Sequence, residues 1–190
     1  MTTAYFEELY RASEDPWDLA TSAYERDKYD LTIAALGDRP FAAALEVGCS
    51  IGTLTERLSE RCGTVLAIDA APTAVERARR RVAGRGNVTV ERRSIPDEMP
   101  GGSFDLIVCS EVLYYMDPAL LECAWDLLAG AVAPGGALLA VHWRGPVRHY
   151  PQGGDAVHGL LRRRAPALGL ALAHADARPL FLIDRFDRAA

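Results

Sequence analysis

The sequence predicts a doubly wound α/β fold, a mostly parallel seven-stranded sheet that ends in an antiparallel hairpin. Three observations predict it. From residue 42 onward, short apolar runs alternate with segments of helical period. The first run is closed by a turn carrying Gly48 and Gly52. The last two apolar stretches, 170–177 and 180–186, are joined only through Arg178-Pro179, too short a link for a parallel crossover.

The elements follow in order. Residues 1–40 read as helical, with Phe6, Leu9 and Tyr10 on one face and Tyr24, Lys28, Leu31 and Ala35 at helical spacing, interrupted by Asp15-Pro16-Trp17. They are expected to form an extension or lid, and 41–190 the ligand-binding domain. Strands are expected at 42–47, 64–68, 88–91, 104–109 and 136–141. Helices are expected through Leu54, Leu58 and Cys62, from Pro72 to about Arg81, near 118–132 and at 155–168. Apolar strands alternating with helices imply parallel β-α units covered on both faces.

Composition narrows the class. The chain has 190 residues, 49% of them hydrophobic, enough for a real core and unlike a disordered chain. Its net charge of −5 argues against a nucleic-acid partner, whose phosphates call for basic surface. Lys28 is the sole lysine, and the arginines of the 77–93 stretch read as a solvated face. No apolar run is long enough for a bilayer, and no basic-then-apolar leader opens the chain, so no membrane association and a cytoplasmic setting are expected. Cys49, Cys62, Cys109 and Cys123 show no metal spacing; Cys49 and Cys109 read as buried thiols, and no metal is expected. The expected partner is a small molecule, on a monomer or weak homodimer.

The most informative segment is Leu45-Glu46-Val47-Gly48-Cys49-Ser50-Ile51-Gly52. Gly48 permits a sharp turn out of the strand, Ser50 is small enough for a ligand to approach the backbone, and Gly52 lets the next helix pack tightly on the sheet. The free N–H groups of that helix start favour an anionic group such as a carboxylate. Glu46 suits the cationic amino group of an amino-acid ligand. Asp69, at the end of the second strand, can accept from both hydroxyls of a ribose. The spacing Gly48-x-Ser50-x-Gly52 departs from the dinucleotide G-x-G-x-x-G pattern.

Residues 44–141 resemble class I S-adenosylmethionine-dependent methyltransferases, through LEVGCSIG, VLAIDAAPTAVERAR, FDLIVCSEVLYYM and APGGALLA in that order. Ser50 departs from the family's usual glycine. The resemblance implies a Rossmann-like methyltransferase fold, S-adenosyl-L-methionine as cofactor and S-adenosyl-L-homocysteine as product. It implies Glu46, Gly48, Cys49 and Ser50 at the methionine end, with Gly52 in the same turn. It further implies Asp69 on the ribose, Ala70 and Ser94-Ile95 at the adenine, and Ser110 at the amino group. Asp15-Pro16-Trp17, Tyr24-Glu25-Arg26-Asp27-Lys28 and SEVLYYM further resemble the nodulation N-methyltransferases (nodulation protein S). Those enzymes act on the free amine of an end-deacetylated chitooligosaccharide. This implies that Trp17 and Arg26 fold over the cofactor, with Arg26 reaching its carboxylate; the alternative for Trp17 is an N-terminal core anchor.

An amine nucleophile must be neutral, so a base or a desolvating pocket helps. His142, after the fifth strand, and Glu111, after the fourth, are equal candidates for the catalytic group, with His149 a third. Glu111 has the alternative roles of hydrogen-bonding a hydroxyl or holding the amine, and His142 that of a structural histidine. Tyr114, Tyr115, Trp143, Arg144 and His149 are candidates for binding an amino sugar, an oligosaccharide or another polar molecule. The expected activity is N-methylation of such an acceptor. The alternatives are O-methylation or methylation of another amine, a nicotinamide-dependent oxidoreductase, and a non-catalytic cofactor-binding domain.

Overall fold

The computed structural model describes residues 1–146 and 149–190. Its seven strands are β1 (Phe41–Val47), β2 (Cys62–Asp69), β3 (Val88–Arg92), β4 (Phe104–Ser110), β5 (Val132–Trp143), β6 (Leu170–Ala177) and β7 (Phe181–Arg188). They form one sheet in the order β3-β2-β1-β4-β5-β7-β6. β1/β2, β2/β3 and β4/β5 pair in parallel, while β5/β7 and β6/β7 pair antiparallel. The expected sheet and its closing hairpin are thus observed. Packing divides the chain into two compact units, Thr2–Ser94 and Ile95–Ala190 together with Met1.

The first unit holds β1–β3 with α1 (Thr3–Ala12), α2 (Ala23–Ala34), α3 (Thr53–Leu58) and α4 (Pro72–Arg81). The N-terminal helices expected as an extension therefore lie within this unit. Between α1 and α2 the Asp15 carboxylate accepts from the Leu19 and Ala20 amides, at 2.9 and 2.8 Å, which closes the Asp15-Pro16-Trp17 turn. The Ser22 hydroxyl caps α2 by accepting from the Glu25 amide. Of the residues at helical spacing, Lys28 and Ala35 are buried and Tyr24 and Leu31 partly so, and the buried face of α2 also takes in Glu25, Tyr29 and Thr32. Glu25 is there as half of a buried ion pair. Lys28 Nζ donates to Glu25 Oε1 at 2.9 Å and lies over the Tyr24 ring, so the lysine enters the interior with its countercharge. Cys62 begins β2 rather than continuing α3, which is a helix of only six residues.

The second unit holds β4–β7 with α5 (Pro118–Gly130) and α6 (Gly154–Arg164), the latter continued by a 3-10 turn over 165–168. The Asp117 carboxylate caps α5, accepting from the Leu120 amide, and Pro118 fills the first helical position. Leu121, Ala124, Trp125 and Leu128 make the buried stripe of α5, with Trp125 edge-on to Phe186 of β7 at 5.3 Å. β5 is longer than expected and runs through His142 and Trp143, because β7 pairs with it along Ala137–Trp143.

Gly154 sets how closely α6 meets β5. A Cβ there would lie 2.2 Å from the Trp143 carbonyl oxygen, a backbone atom that cannot swing aside. Gly154→Ala is therefore expected to destabilise the protein by about 1–3 kcal/mol, the usual cost of overpacking. Urea unfolding measures this, and an unchanged midpoint would show that α6 can shift freely.

Candidate functional site

In the first unit, β1 leaves the sheet through three left-handed residues, Gly48 (φ 76°), Ser50 (φ 52°) and Gly52 (φ 82°). Two are glycines, as the conformation favours. Ser50 is held in it from two sides. Its amide donates to Asp69 Oδ2 at 2.9 Å, and its hydroxyl oxygen accepts from the Tyr10 phenol at 2.6 Å. The Ala71 amide donates to the other Asp69 oxygen at 2.9 Å, so one carboxylate links the turns after β1 and β2. The Gly48 and Cys49 amides both donate to the Ile68 carbonyl.

Gly52 packs closely, but onto α4 rather than the sheet. A Cβ there would lie 3.1 Å from Ala78 Cα and 3.2 Å from its Cβ. The hydroxyl of Thr53, the next residue, is buried with no hydrogen-bond partner. Glu46 is buried, and its Oε2 accepts from the Thr55 hydroxyl at 2.5 Å. Among the described residues no cation pairs with it. Burial pushes its carboxyl up to about 8, opposed by the Thr55 hydrogen bond and reinforced by the Asp69 charge. Burial raises Asp69 too, against the amide bonds from Ala71 and Ser50 that favour its charged form. The Cys49 thiol is pushed up chiefly by burial, which makes it unreactive.

The N-terminal segment is anchored on this loop. Trp17 lies edge-on to Tyr10 at 5.4 Å in a cluster with Ile51, Ala71 and Ala74, while Glu7 accepts from the amide and hydroxyl of Thr73. Arg26 is exposed and donates to the Thr21 carbonyl at 2.9 Å. Ala70 follows β2, partly buried, and Ser94, also partly buried, ends the unit.

In the second unit, Ile95 and Ser110 are partly buried, and Ser110 is the last residue of β4. Glu111 follows it at φ 55°, again left-handed, its amide donating to the Val141 carbonyl at 2.8 Å. Its carboxylate accepts from the Tyr114 phenol at 2.6 Å and from the Trp143 amide at 3.0 Å. Tyr114 stacks on Tyr150, with centroids 5.1 Å apart and planes at 21°, and meets Tyr115 edge-on at 4.6 Å. Burial keeps both Tyr114 and Tyr115 phenols protonated far above neutral pH; Glu111 adds to the effect at Tyr114. A carboxylate held by a phenol at the edge of an aromatic cluster is suited to a cationic amine.

Two expectations are corrected here. His142 lies inside β5, fully buried, where Nε2 accepts from the Leu113 amide at 3.1 Å and Nδ1 faces His158 Nε2 at 3.1 Å. Its basic nitrogen is already committed to backbone, which excludes it as a base for an incoming acceptor. Arg144 does not present its guanidinium to a ligand: it pairs with Asp155 and donates to the Arg178 carbonyl. Trp143 contributes its amide to Glu111, while its indole lies where a side chain on Gly145 would stand. His149 is exposed, and Val147 and Arg148 of the same loop lie outside the described residues. Sequence reading missed the roles of Tyr10, Thr55, His158 and Asp184, which depend on long-range pairing. No group of residues able to hold a metal occurs among the described residues.

The family model for nodulation protein S (NodS) matches residues 6–146. Nodulation protein S of Rhizobium tropici is 37% identical over 130 residues, 67% of this chain and 55% of that protein. Its counterpart in Sinorhizobium fredii is 35% identical over 130 residues, 67% of this chain and 60% of that protein. The match thus spans less than two thirds of the length of these curated relatives. The crystal structure of the N-methyltransferase NodS from Bradyrhizobium japonicum WM9, in complex with S-adenosyl-L-homocysteine, superposes with a TM-score of 0.87 at 26% identity and covers 100% of both chains.

The raised Glu46 carboxyl gives a pH dependence with a defined sign. Its folded value, about 8, exceeds the ordinary 4.5 of a solvated glutamate. The protonated form is thus favoured by folding, and that contribution is full below the ordinary value and lost as pH rises through about 8. Glu46→Gln, which stays neutral, should gain stability relative to the parent chain between pH 5 and pH 9. Unfolding curves at both pH values test this, and parallel pH profiles would show that Glu46 is ionised throughout.

Proposed function

The chain belongs to the nodulation protein S family, and we propose that it transfers the methyl group of S-adenosyl-L-methionine to the free amine of a small polar, amino-sugar-derived acceptor. The observation that carries this reading is the constellation after β1. A left-handed, small-residue turn is tied to Asp69 beside a buried carboxyl, Glu46, with no cation partner among the described residues. Such a site fits an amino-acid nucleoside, with the ammonium on Glu46, the ribose hydroxyls on Asp69 and the backbone of Gly48–Gly52 along the ligand. The N-terminal segment carrying Trp17 acts as the cover over this loop.

When bound, S-adenosyl-L-methionine supplies an electrophilic methyl group on a sulfonium. The chain's own task is to bind and align the acceptor, deliver it neutral and exclude water, and orientation alone supplies roughly 7–11 kcal/mol in such reactions. Glu111 is the residue for the acceptor amine. Its carboxylate attracts the ammonium form and takes the proton that the nitrogen must lose, while Tyr114, stacked on Tyr150, holds it through the phenol. No helix among the described residues is long and apolar enough to cross a membrane.

Methyl transfer from labelled S-adenosyl-L-methionine to chitooligosaccharides, with and without a free terminal amine, tests the acceptor. Transfer confined to the free amine is expected; transfer to a hydroxyl, or to neither, would discard the amino-sugar reading. Asp69→Ala should weaken S-adenosyl-L-homocysteine by about tenfold to 150-fold, the loss of charge-assisted hydrogen bonds, and calorimetry reads this directly. Glu111→Gln should lower turnover by about 100-fold or more with cofactor affinity retained. Equal loss of affinity and turnover would make Glu111 a structural group.

A further inference from the structure

Glu111 holds an uncommon backbone conformation at φ 55°, and the residues that follow form a short 3-10 turn, Leu113–Tyr115. The first amide of such a turn has no partner within it. Here the Leu113 amide donates to His142 Nε2 at 3.1 Å. Behind His142 a line of polar groups crosses the interior to the exposed Arg162. His142 Nδ1 meets His158 Nε2 at 3.1 Å, and His158 Nδ1 meets Asp184 Oδ2 at 2.8 Å. Arg162 closes the line with Nε on Asp184 Oδ2 at 2.6 Å and Nη2 on Oδ1 at 2.8 Å. Leu113, His142, His158 and Asp184 are all buried, none exposing more than 1% of its surface.

We propose that Asp184, His158 and His142 form a positioning relay that holds the Leu113–Tyr115 turn, and through it Glu111 and Tyr114, in place for the acceptor. The proposal rests on the reading that Glu111 meets the acceptor amine. The direction of every link follows from its ends. An amide can only donate, so His142 Nε2 is bare and its proton sits on Nδ1. His158 must then accept at Nε2 and carry its own proton on Nδ1, which donates to Asp184. Reversing one link would set two donors or two acceptors face to face in the interior. Hydrogen bonds from His158 and Arg162 keep the Asp184 carboxyl below its ordinary range despite burial.

The relay acts on the turn at three points. The His142 ring receives the Leu113 amide and lies edge-on to the Tyr114 ring at 5.3 Å, while the adjoining Trp143 amide donates to Glu111. A buried polar line of this kind gains little stability over apolar packing of equal volume. Its distinctive property is directional: it fixes one orientation of the imidazole, and therefore one position of the amide it receives.

The test compares His142→Phe, which keeps the ring and removes the acceptor, with His142→Gln, whose carbonyl can still receive the Leu113 amide. In His142→Phe, exchange of the Leu113 amide should accelerate by about tenfold or more, as for local opening of a turn. With S-adenosyl-L-methionine and de-N-acetylated chitotetraose, kcat should fall about 10- to 100-fold, the scale of a misplaced catalytic group. KM for the oligosaccharide should change less, and affinity for S-adenosyl-L-homocysteine should not change. His142→Gln should recover most of both the amide protection and kcat. If His142→Phe does not fold, Asp184→Asn and His158→Gln are expected to shift exchange and kcat in the same direction. Unchanged Leu113 exchange overturns the relay whatever acceptor is used, and so does loss of cofactor affinity in step with turnover. If Glu111→Gln is inactive while His142→Phe is fully active, the relay alone fails. If Glu111→Gln is fully active, the acceptor reading fails.

Discussion

The first unit of this protein depends on one carboxylate. Asp69 accepts the amides of Ser50 and Ala71, which belong to the turns after two different strands. Parallel strands end at the same edge, where each chain must leave abruptly and its backbone groups lose their ladder partners. Asp69 satisfies two of them at once and fixes the spacing of the turns. Tyr10 then reaches Ser50 from α1, and Trp17 packs on Tyr10, so the N-terminal helices are tied to the same point. Ser50, where the family usually has glycine, is tolerated in a left-handed conformation because both its amide and its hydroxyl are engaged.

The second unit solves the same problem with a different residue. β4 ends in Glu111, left-handed like Ser50, whose own side chain turns back to receive the Trp143 amide and the Tyr114 phenol. In the first unit the carboxylate comes from a neighbouring strand; in the second it belongs to the strained residue itself.

The fold was legible because its signals are local. Apolar runs of strand length, Pro72 and Pro118 at helix starts, and the short Arg178-Pro179 link each act within a few residues. The tight turn after β1 was legible for the same reason. The exact end of β5 was not, since pairing with β7 carries the strand past the point where apolar residues stop. That extension buried His142 and turned a plausible base into a structural group. On α2 the spacing through Lys28 and Ala35 was legible, whereas the burial of Glu25 was not, because it depends on pairing with that lysine. Arg144 looked available until its distant partner Asp155 was placed beside it. Partners from separate elements, such as His158 and Asp184 for His142, leave no periodic trace in the chain.

The burial of Lys28 has a consequence for surface chemistry. It is the sole lysine of the sequence, exposes 2% of its surface and is paired with Glu25. The other basic side chains are guanidinium groups and imidazoles, so the folded surface offers no side-chain primary amine. A protein proposed to methylate amines thus presents no side-chain nucleophile of its substrate's kind. Amine-reactive labels and cross-linkers should likewise find no lysine to modify until the chain unfolds.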